Sequence, residues 1–346
     1  MVLLAAAVSA APPSSEVDRV PSFEIQARPD DIAVVIGVER YRGVPAAEFA
    51  AADARVMRDY LVAMGYPPRN VEFLSDDHAT AADVTRALER WLPDRVKPNS
   101  RVVVYFSGHG APDPVSGQAY LVPWDGNPDD LSDTAYSLKR LEDGLAKLPA
   151  AQVVVILDAC FSGRDPKGRS LIAAGARPLV LTAPEPAPPS PKVALMTAAR
   201  RSQISASNPD YRHGLFTYHL LKAVREGKKS LPDLYAALKP RVEDDAKARG
   251  VEQSPQLVPE SRPDSPVFLL ATFTSVSLAP AAPAVEKEEP AAVKAERKRL
   301  ETEQRRLEAE KKRLQEIEID LDRRRRELED RPPIPSHPPV FVPPSF

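Results

Sequence analysis

Hydrophobic residues in this chain follow two rhythms. Five short runs are strand candidates, Asp31–Val38 (DIAVVIGV), Val71–Leu74, Arg101–Phe106 (RVVVYF), Gln152–Leu157 (QVVVIL) and Val193–Thr197 (VALMT), and the first, third and fourth are continuous and β-branched. Runs that stay apolar at consecutive positions suit parallel strands buried on both faces. Between and after them the spacing shifts to three and four. That spacing predicts helices over Ala46–Met64, Ala81–Leu92, Tyr136–Leu148, Leu215–Glu226 and Leu231–Ala248. In the first of these, Phe49, Val56, Tyr60 and Ala63 fall on one face. Alternation of strands and helices predicts an α/β domain, an open, mostly parallel sheet of about six strands flanked by helices on both faces. The domain is expected over 30–271, about 240 residues, long enough to bury a full core.

The flanks have a different character. Residues 1–29 read as a leader or disordered arm. MVLLAAAVSAAPPSS is apolar and then small, and Val8-Ser9-Ala10 is similar to a signal-peptidase site, although a basic n-region is missing. This favours export, periplasmic or secreted, over a cytoplasmic place. The run is too short to span a bilayer, which takes about 20 residues, and no other stretch is long and apolar enough. After the domain, 272–292 reads as an Ala/Pro-rich linker and 331–346 as a Pro-rich disordered tail.

Between these two segments, 293–330 is expected to form a charged C-terminal helix. Glu286–Arg331 holds 15 Lys/Arg against 15 Asp/Glu, and Leu300, Leu307, Leu314, Leu321 and Leu328 recur every seven residues. The companion column, Glu303, Glu310, Ile317 and Arg324, is poor in apolar side chains. Two readings stay open: a coiled-coil seam giving self-association or a protein partner, or a solitary helical spacer.

Charge and cysteine count remove several function classes. Among 346 residues, 47 basic side chains face 49 acidic ones, a formal −2, so nothing draws the whole chain to nucleic acid. A single Cys excludes an internal disulfide framework and a Cys-based zinc site. There is no Gly-rich phosphate loop, HExxH or GxSxG. Ala176–Lys192 carries six prolines and reads as an exposed loop between the fourth and fifth strands.

Two strand ends carry candidate chemistry. The third strand runs into Ser107-Gly108-His109-Gly110, and the fourth into Asp158-Ala159-Cys160-Phe161-Ser162-Gly163. Open α/β sheets bind ligands beyond the carboxyl ends of their strands. A thiol there becomes a strong nucleophile at neutral pH when a base stands nearby, and His suits that task. The plainer alternative makes Cys160 a small buried apolar residue and His109 a turn residue. Their matching places on neighbouring buried strands favour chemistry. Asp158 lies two before Cys160, so its side chain projects toward the same side of the sheet.

Tyr105-Phe106-Ser107-Gly108-His109-Gly110 and Asp158-Ala159-Cys160-Phe161-Ser162-Gly163 together resemble the paired signatures of caspase-like cysteine peptidases, closest to metacaspases and their bacterial relatives. The resemblance spans roughly residues 30–271. It includes Leu121-Val122-Pro123 with Asp125, His213-Gly214-Leu215-Phe216-Thr217, and Gln253-Ser254-Pro255-Gln256. It implies a caspase-like fold and a His-Cys dyad, with Cys160 as nucleophile and His109 as general base and acid. The N–H groups of Gly110 and Cys160 would form the oxyanion hole.

Asp53, in Ala51-Ala52-Asp53-Ala54, matches the second acidic position of the metacaspase specificity pocket, beside Asp158. Two carboxylates in one pocket favour Arg or Lys before the scissile bond and repel Asp. The Gln and Arg that flank the nucleophile in true caspases are absent. The bland readings are a solvated charge on an exposed helix face for Asp53 and a strand-end residue bonding local backbone N–H groups for Asp158.

Related enzymes often need calcium. Asp125, Asp129, Asp130 and Asp133 offer oxygens, but their spacing departs from the family pattern and equally suits a turn and helix cap, so calcium activation stays open and no cofactor is required. Lys167 and Arg169, beyond the nucleophile, are candidates for self-cleavage. Of the other histidines, His213 fits support of a substrate loop; His78, His219 and His337 have no catalytic context. The expected function is a cysteine endopeptidase acting on peptides or proteins with a basic residue before the cut. The alternatives are a non-proteolytic scaffold of the same fold acting through its C-terminal helix, and a different Cys hydrolase or transpeptidase.

Overall fold

The computed structural model describes residues 15–113, 116–161, 190–259, 269–270, 273–280 and Arg313. A 3-10 turn at Glu16–Asp18 leads into β1 (Pro21–Ile25) and β2 (Ile32–Gly37), followed by α1 (Ala50–Ala63), β3 (Val71–Ser75), α2 (Ala81–Arg86) and β4 (Arg101–Ser107). Next come β5 (Gly110–Pro112), β6 (Ala119–Leu121), α3 (Leu131–Thr134), β7 (Tyr136–Ser137), α4 (Leu138–Lys147) and β8 (Gln152–Asp158). The rest comprises β9 (Val193–Thr197), β10 (Ser207–Asn208), β11 (His213–Gly214), α5 (Leu215–Arg225), α6 (Leu231–Ala248), β12 (Gln256–Val258) and β13 (Phe273–Pro280).

Six strands form the central sheet in the order β12-β9-β8-β4-β2-β3. The five strands read from the sequence are its parallel members, and β12 adds an antiparallel edge. Their unbroken apolar character has a visible cause. Alternate residues feed two cores, one on each face. Val35, Tyr105 and Ile156 pack with α1, α5 and α6. Ile36, Phe106 and Leu157 pack with α2 and α4.

Several boundaries move for local reasons. α1 starts at Ala50 rather than Ala46, because Phe49 holds a left-handed backbone, φ 71°. The expected helix Ala81–Leu92 is α2 followed by a π turn over Ala87–Trp91. Tyr136–Ser137 is strand, and the Ser137 hydroxyl caps α4 by accepting from the Arg140 N–H at 3.4 Å.

Two domain limits need correction. The arm expected over 1–29 is folded from Ser15 on: Val17 is fully buried, and β1 pairs antiparallel with β13. The linker expected over 272–292 therefore begins as a strand, with the Phe273 ring 5.0 Å from that of Phe23. In both places a few apolar side chains reach the core and the two segments satisfy each other's backbone groups.

The chain divides into two compact units, Met1–Ala282 and Pro283–Phe346. Only Arg313 of the second is described, so the charged helix expected over 293–330 and the tail 331–346 lie outside the described residues, as do residues 1–14, Lys167, Arg169 and the Pro-rich loop. Among the described residues, no helix is long and apolar enough to cross a membrane.

Candidate active site

Parallel pairing aligns Gly37, Ser107 and Asp158 at the carboxyl ends of β2, β4 and β8. Just past these ends the chain delivers His109 and Cys160, which are 2% and 4% exposed and line one cleft. Gly110 explains how closely the two segments approach. A Cβ there would lie 2.8 Å from the Cys160 carbonyl oxygen and 2.7 Å from the Phe161 ring. Only glycine fits that contact.

His109 is held from three directions. Its backbone N–H donates to the Tyr41 hydroxyl at 2.7 Å, and the two rings lie 4.9 Å apart. Its Nε2 is 2.9 Å from the Pro45 carbonyl oxygen. A carbonyl only accepts, so Nε2 carries a proton and, in the neutral ring, the lone pair sits on Nδ1. Tyr41 and Pro45 belong to the loop after β2, and Asp76 anchors that loop. Its carboxylate accepts from the Glu39 and Arg40 N–H groups, each at 2.9 Å, and from Arg40 Nε and Nη2 at 3.0 and 2.8 Å. Burial alone would raise the Asp76 pKa, but these hydrogen bonds and the Arg40 charge keep it below the ordinary carboxylate value.

The second half of the site is acidic. Asp53 on α1 is 1% exposed, so it is no solvated surface charge. It accepts from His213 Nδ1 at 2.7 Å, from the Gly214 N–H at 3.2 and 3.3 Å, and from the Ser107 hydroxyl at 3.3 Å. Burial pushes its pKa up to about 7; the His213 and Gly214 hydrogen bonds oppose the shift and the Asp158 charge adds to it.

Asp158, at the end of β8, accepts from the Ser205 hydroxyl at 2.6 Å and from the Thr217 N–H and hydroxyl at 3.2 and 2.6 Å. The Tyr105 hydroxyl lies 2.6 Å from that of Thr217. Since the Thr217 proton goes to the carboxylate, Tyr105 donates to Thr217. Burial raises the Asp158 pKa as well. The two carboxylates face each other across Gly214, where a Cβ would lie 2.6 Å from Asp158 Oδ2 and 3.1 Å from Asp53 Oδ2.

His213 stands behind Asp53, buried, with Nε2 reaching Asp18 Oδ1 at 3.1 Å. Burial disfavours its charged form, but the hydrogen bonds and charges of Asp53 and Asp18 outweigh that and raise its pKa. His109, Cys160, Asp53, Asp158, Ser205 and Gly214 line one cleft that is open to solvent.

The structure thus brings His109, Gly110, Cys160, Asp53 and Asp158 to one place, with His213 in a supporting position. Sequence reasoning missed Asp18, Tyr41, Pro45, Asp76 and Ser205. The signal for Tyr41 and Pro45 was their position directly after the carboxyl end of β2; Asp18 lay in a segment read as leader. His78 is exposed, and His219 bonds Asp245 at 2.8 Å outside the cleft. Asp125 caps α2 by accepting from the Ala81 N–H at 2.8 Å, and Asp130 is the residue before α3. Among the described residues, no three His, Cys, Asp or Glu converge on a metal site.

The Peptidase C14 model, described as the caspase domain, matches residues 30–265. Metacaspase-1 of Eremothecium gossypii is 25% identical over 147 residues, 38% of this chain and 31% of the relative. Metacaspase-1A of Aspergillus oryzae is 26% identical over 151 residues, 38% of this chain and 34% of the relative. The aligned parts thus span about a third of these curated relatives. Among solved structures, caspase-1 from Spodoptera frugiperda aligns at TM-score 0.49 and 14% identity, covering 78% of this chain and 99% of its own. A protein from Geobacter sulfurreducens aligns at TM-score 0.49 and 18% identity, covering 71% and 100%. A family match over residues 30–265 covers well over half of the 346 residues, and with it the chain belongs to the caspase-domain family of cysteine peptidases.

Proposed function

We propose that the protein is a cysteine endopeptidase that cleaves peptide bonds after Arg or Lys by means of a His109–Cys160 dyad. One observation carries the reading: His109, Cys160 and two buried carboxylates line the same cleft. His109 Nδ1, left basic by the Nε2–H bond to Pro45, takes the Cys160 proton, and the thiolate attacks the scissile carbonyl. The N–H groups of Gly110 and Cys160 receive the oxyanion. His109 then returns the proton to the leaving amine, and water, activated by the same ring, hydrolyses the thioester.

Asp53 and Asp158 supply the negative field that selects a basic side chain. A guanidinium or ammonium entering between them would offset the burial, and the lesser Asp158 repulsion, that raise the Asp53 pKa. Self-cleavage at Lys167 or Arg169 belongs to the same proposal.

The test uses fluorogenic peptides with Arg, Lys or Asp before the cut, with and without calcium. Wild-type protein should turn over the basic peptides alone. Cys160→Ala and His109→Ala should lower kcat by roughly a thousand-fold or more. Wild-type protein inert to basic peptides in every condition would leave the fold as a scaffold instead.

A further inference from the structure

Both ring nitrogens of His213 face carboxylates: Nδ1 lies 2.7 Å from Asp53 and Nε2 lies 3.1 Å from Asp18. Carboxyl oxygens accept, so the arrangement suits a doubly protonated ring with an acceptor oxygen at each end. The side chains of His213 and Asp53 are 1% and 2% exposed, whereas that of Asp18 is 30% exposed. Asp18 is thus the solvent-facing end of a row of charges that finishes in the cleft. The turn carrying it is well fixed. The Ser15 N–H donates to Asp18 Oδ2 at 2.7 Å, and Val17 is fully buried. Glu16 pairs with Lys222 at 2.8 Å and accepts from the Tyr218 hydroxyl at 2.6 Å.

The groups around His213 can be named element by element. α1 presents Asp53, and β8 presents Asp158 across Gly214. β10 contributes only Ser207 and Asn208. The charged residues of α5 are engaged elsewhere: His219 with Asp245, Lys222 with Glu16, and Arg225 with the Arg19 carbonyl. The His213 proton is therefore governed by Asp18 from outside and by Asp53 and Asp158 from the cleft.

The geometry points to Asp18 as a positioning residue that acts through His213 to set the pH range over which the pocket beside Cys160 accepts a basic side chain. The inference rests on the proposed preference for Arg or Lys and deepens it. A proton on this cluster and the substrate cation compete for the same carboxylates, so binding the cation drives a proton off. Removing the charge of Asp18 weakens the cluster's hold on that proton. The effect falls on binding, because Asp18 bonds Ser15 and His213 rather than His109 or Cys160.

Steady-state kinetics of the full chain on an Arg peptide, from about pH 5.5 to 9, test this. In wild type KM should fall as pH rises. In Asp18→Asn, which keeps the shape and an acceptor oxygen, the midpoint of that fall should move down by about half a pH unit or more, with kcat within about two-fold. Asp18→Glu should restore the midpoint, and Glu16→Gln, on the same turn, should leave it unmoved. An unchanged midpoint in Asp18→Asn overturns the inference while leaving the peptidase reading intact.

The imidazole of wild-type His213, followed by nitrogen NMR, gives a readout independent of turnover and of any variant's folding. The ring should be doubly protonated at pH 6.5, the ordinary His value. A neutral ring there overturns the role of Asp18 even if peptides are cut. A doubly protonated ring with no turnover of basic peptides would overturn the substrate reading, and the specificity role with it.

Discussion

A methyl group added at Gly214 would sit 2.6 Å from one pocket carboxylate and 3.1 Å from the other. The backbone there, φ −59°, suits any residue, so the damage would be steric. Gly214→Ala is expected to raise KM for Arg peptides about ten-fold or more and to cost about 1–3 kcal/mol of stability by overpacking. Peptide kinetics and urea unfolding check both, and a wild-type KM would mean that Asp53 and Asp158 do not form the pocket. The same residues give folding a pH signature. Asp53 has its pKa raised from the ordinary 3.8 to about 7, so the folded state binds its proton more tightly than the unfolded chain. That contribution is full below the unfolded value and is lost as pH rises through about 7. His213, also raised, loses its contribution in the same direction. Asp53→Asn removes the first effect and weakens the second, so the Tm advantage of wild type over the variant should fall between about pH 5 and 9; an advantage that grows would contradict the assignment. Cys160 and His109 were legible because glycines and buried strands frame them. Asp18 was not, since its contact with His213 spans 195 residues and no local pattern marks it.

Elements were legible where their own sequence decides them. Most of the parallel strands announce themselves because β2, β4, β8 and β9 are buried on both faces, while the edge strand β3 carries Glu72 and is mostly half-buried. β1 and β13 do not, because each contains proline and is largely exposed, and becomes a strand only through the other. Helix starts were misjudged where backbone geometry outweighs propensity, as at Phe49. The β1–β13 pair is nonetheless part of the packed unit. Phe273 is 4% exposed, touches the Phe23 ring and belongs to the same core as α1 and α5. Phe273→Ala is therefore expected to cost about 3–5 kcal/mol in denaturant unfolding. A loss below about 1 kcal/mol would show that the pair unfolds apart from the rest.

Across the whole molecule, the sheet separates chemistry from stability by the direction of its strands. The carboxyl ends of β2, β4 and β8 open onto His109, Cys160 and the two carboxylates. The amino ends carry a buried ion pair, Asp31 with Arg101, whose side chains are 1% and 7% exposed. Asp31 accepts from the Arg101 N–H at 3.1 Å, from Arg101 Nε at 2.8 Å and from Arg101 Nη2, and Arg28 Nε adds a fourth donor at 3.2 Å. This polarity follows from the parallel arrangement, which the apolar runs foretold, but the Asp31–Arg101 pairing required knowing that β2 and β4 are neighbours. Asp31→Ala leaves Arg101 buried opposite no anion, and such a loss costs about 3–5 kcal/mol. If the two ends are as independent as the geometry implies, kcat/KM for an Arg peptide should stay within about two-fold of wild type at a temperature where both proteins are folded. Thermal unfolding followed on the same samples would then show the stability loss without the catalytic one. A fall in kcat/KM at full folding would mean instead that the ion pair sets the register on which His109 and Cys160 depend, since one residue of slippage between β2 and β4 would turn Ser107 away from Asp53.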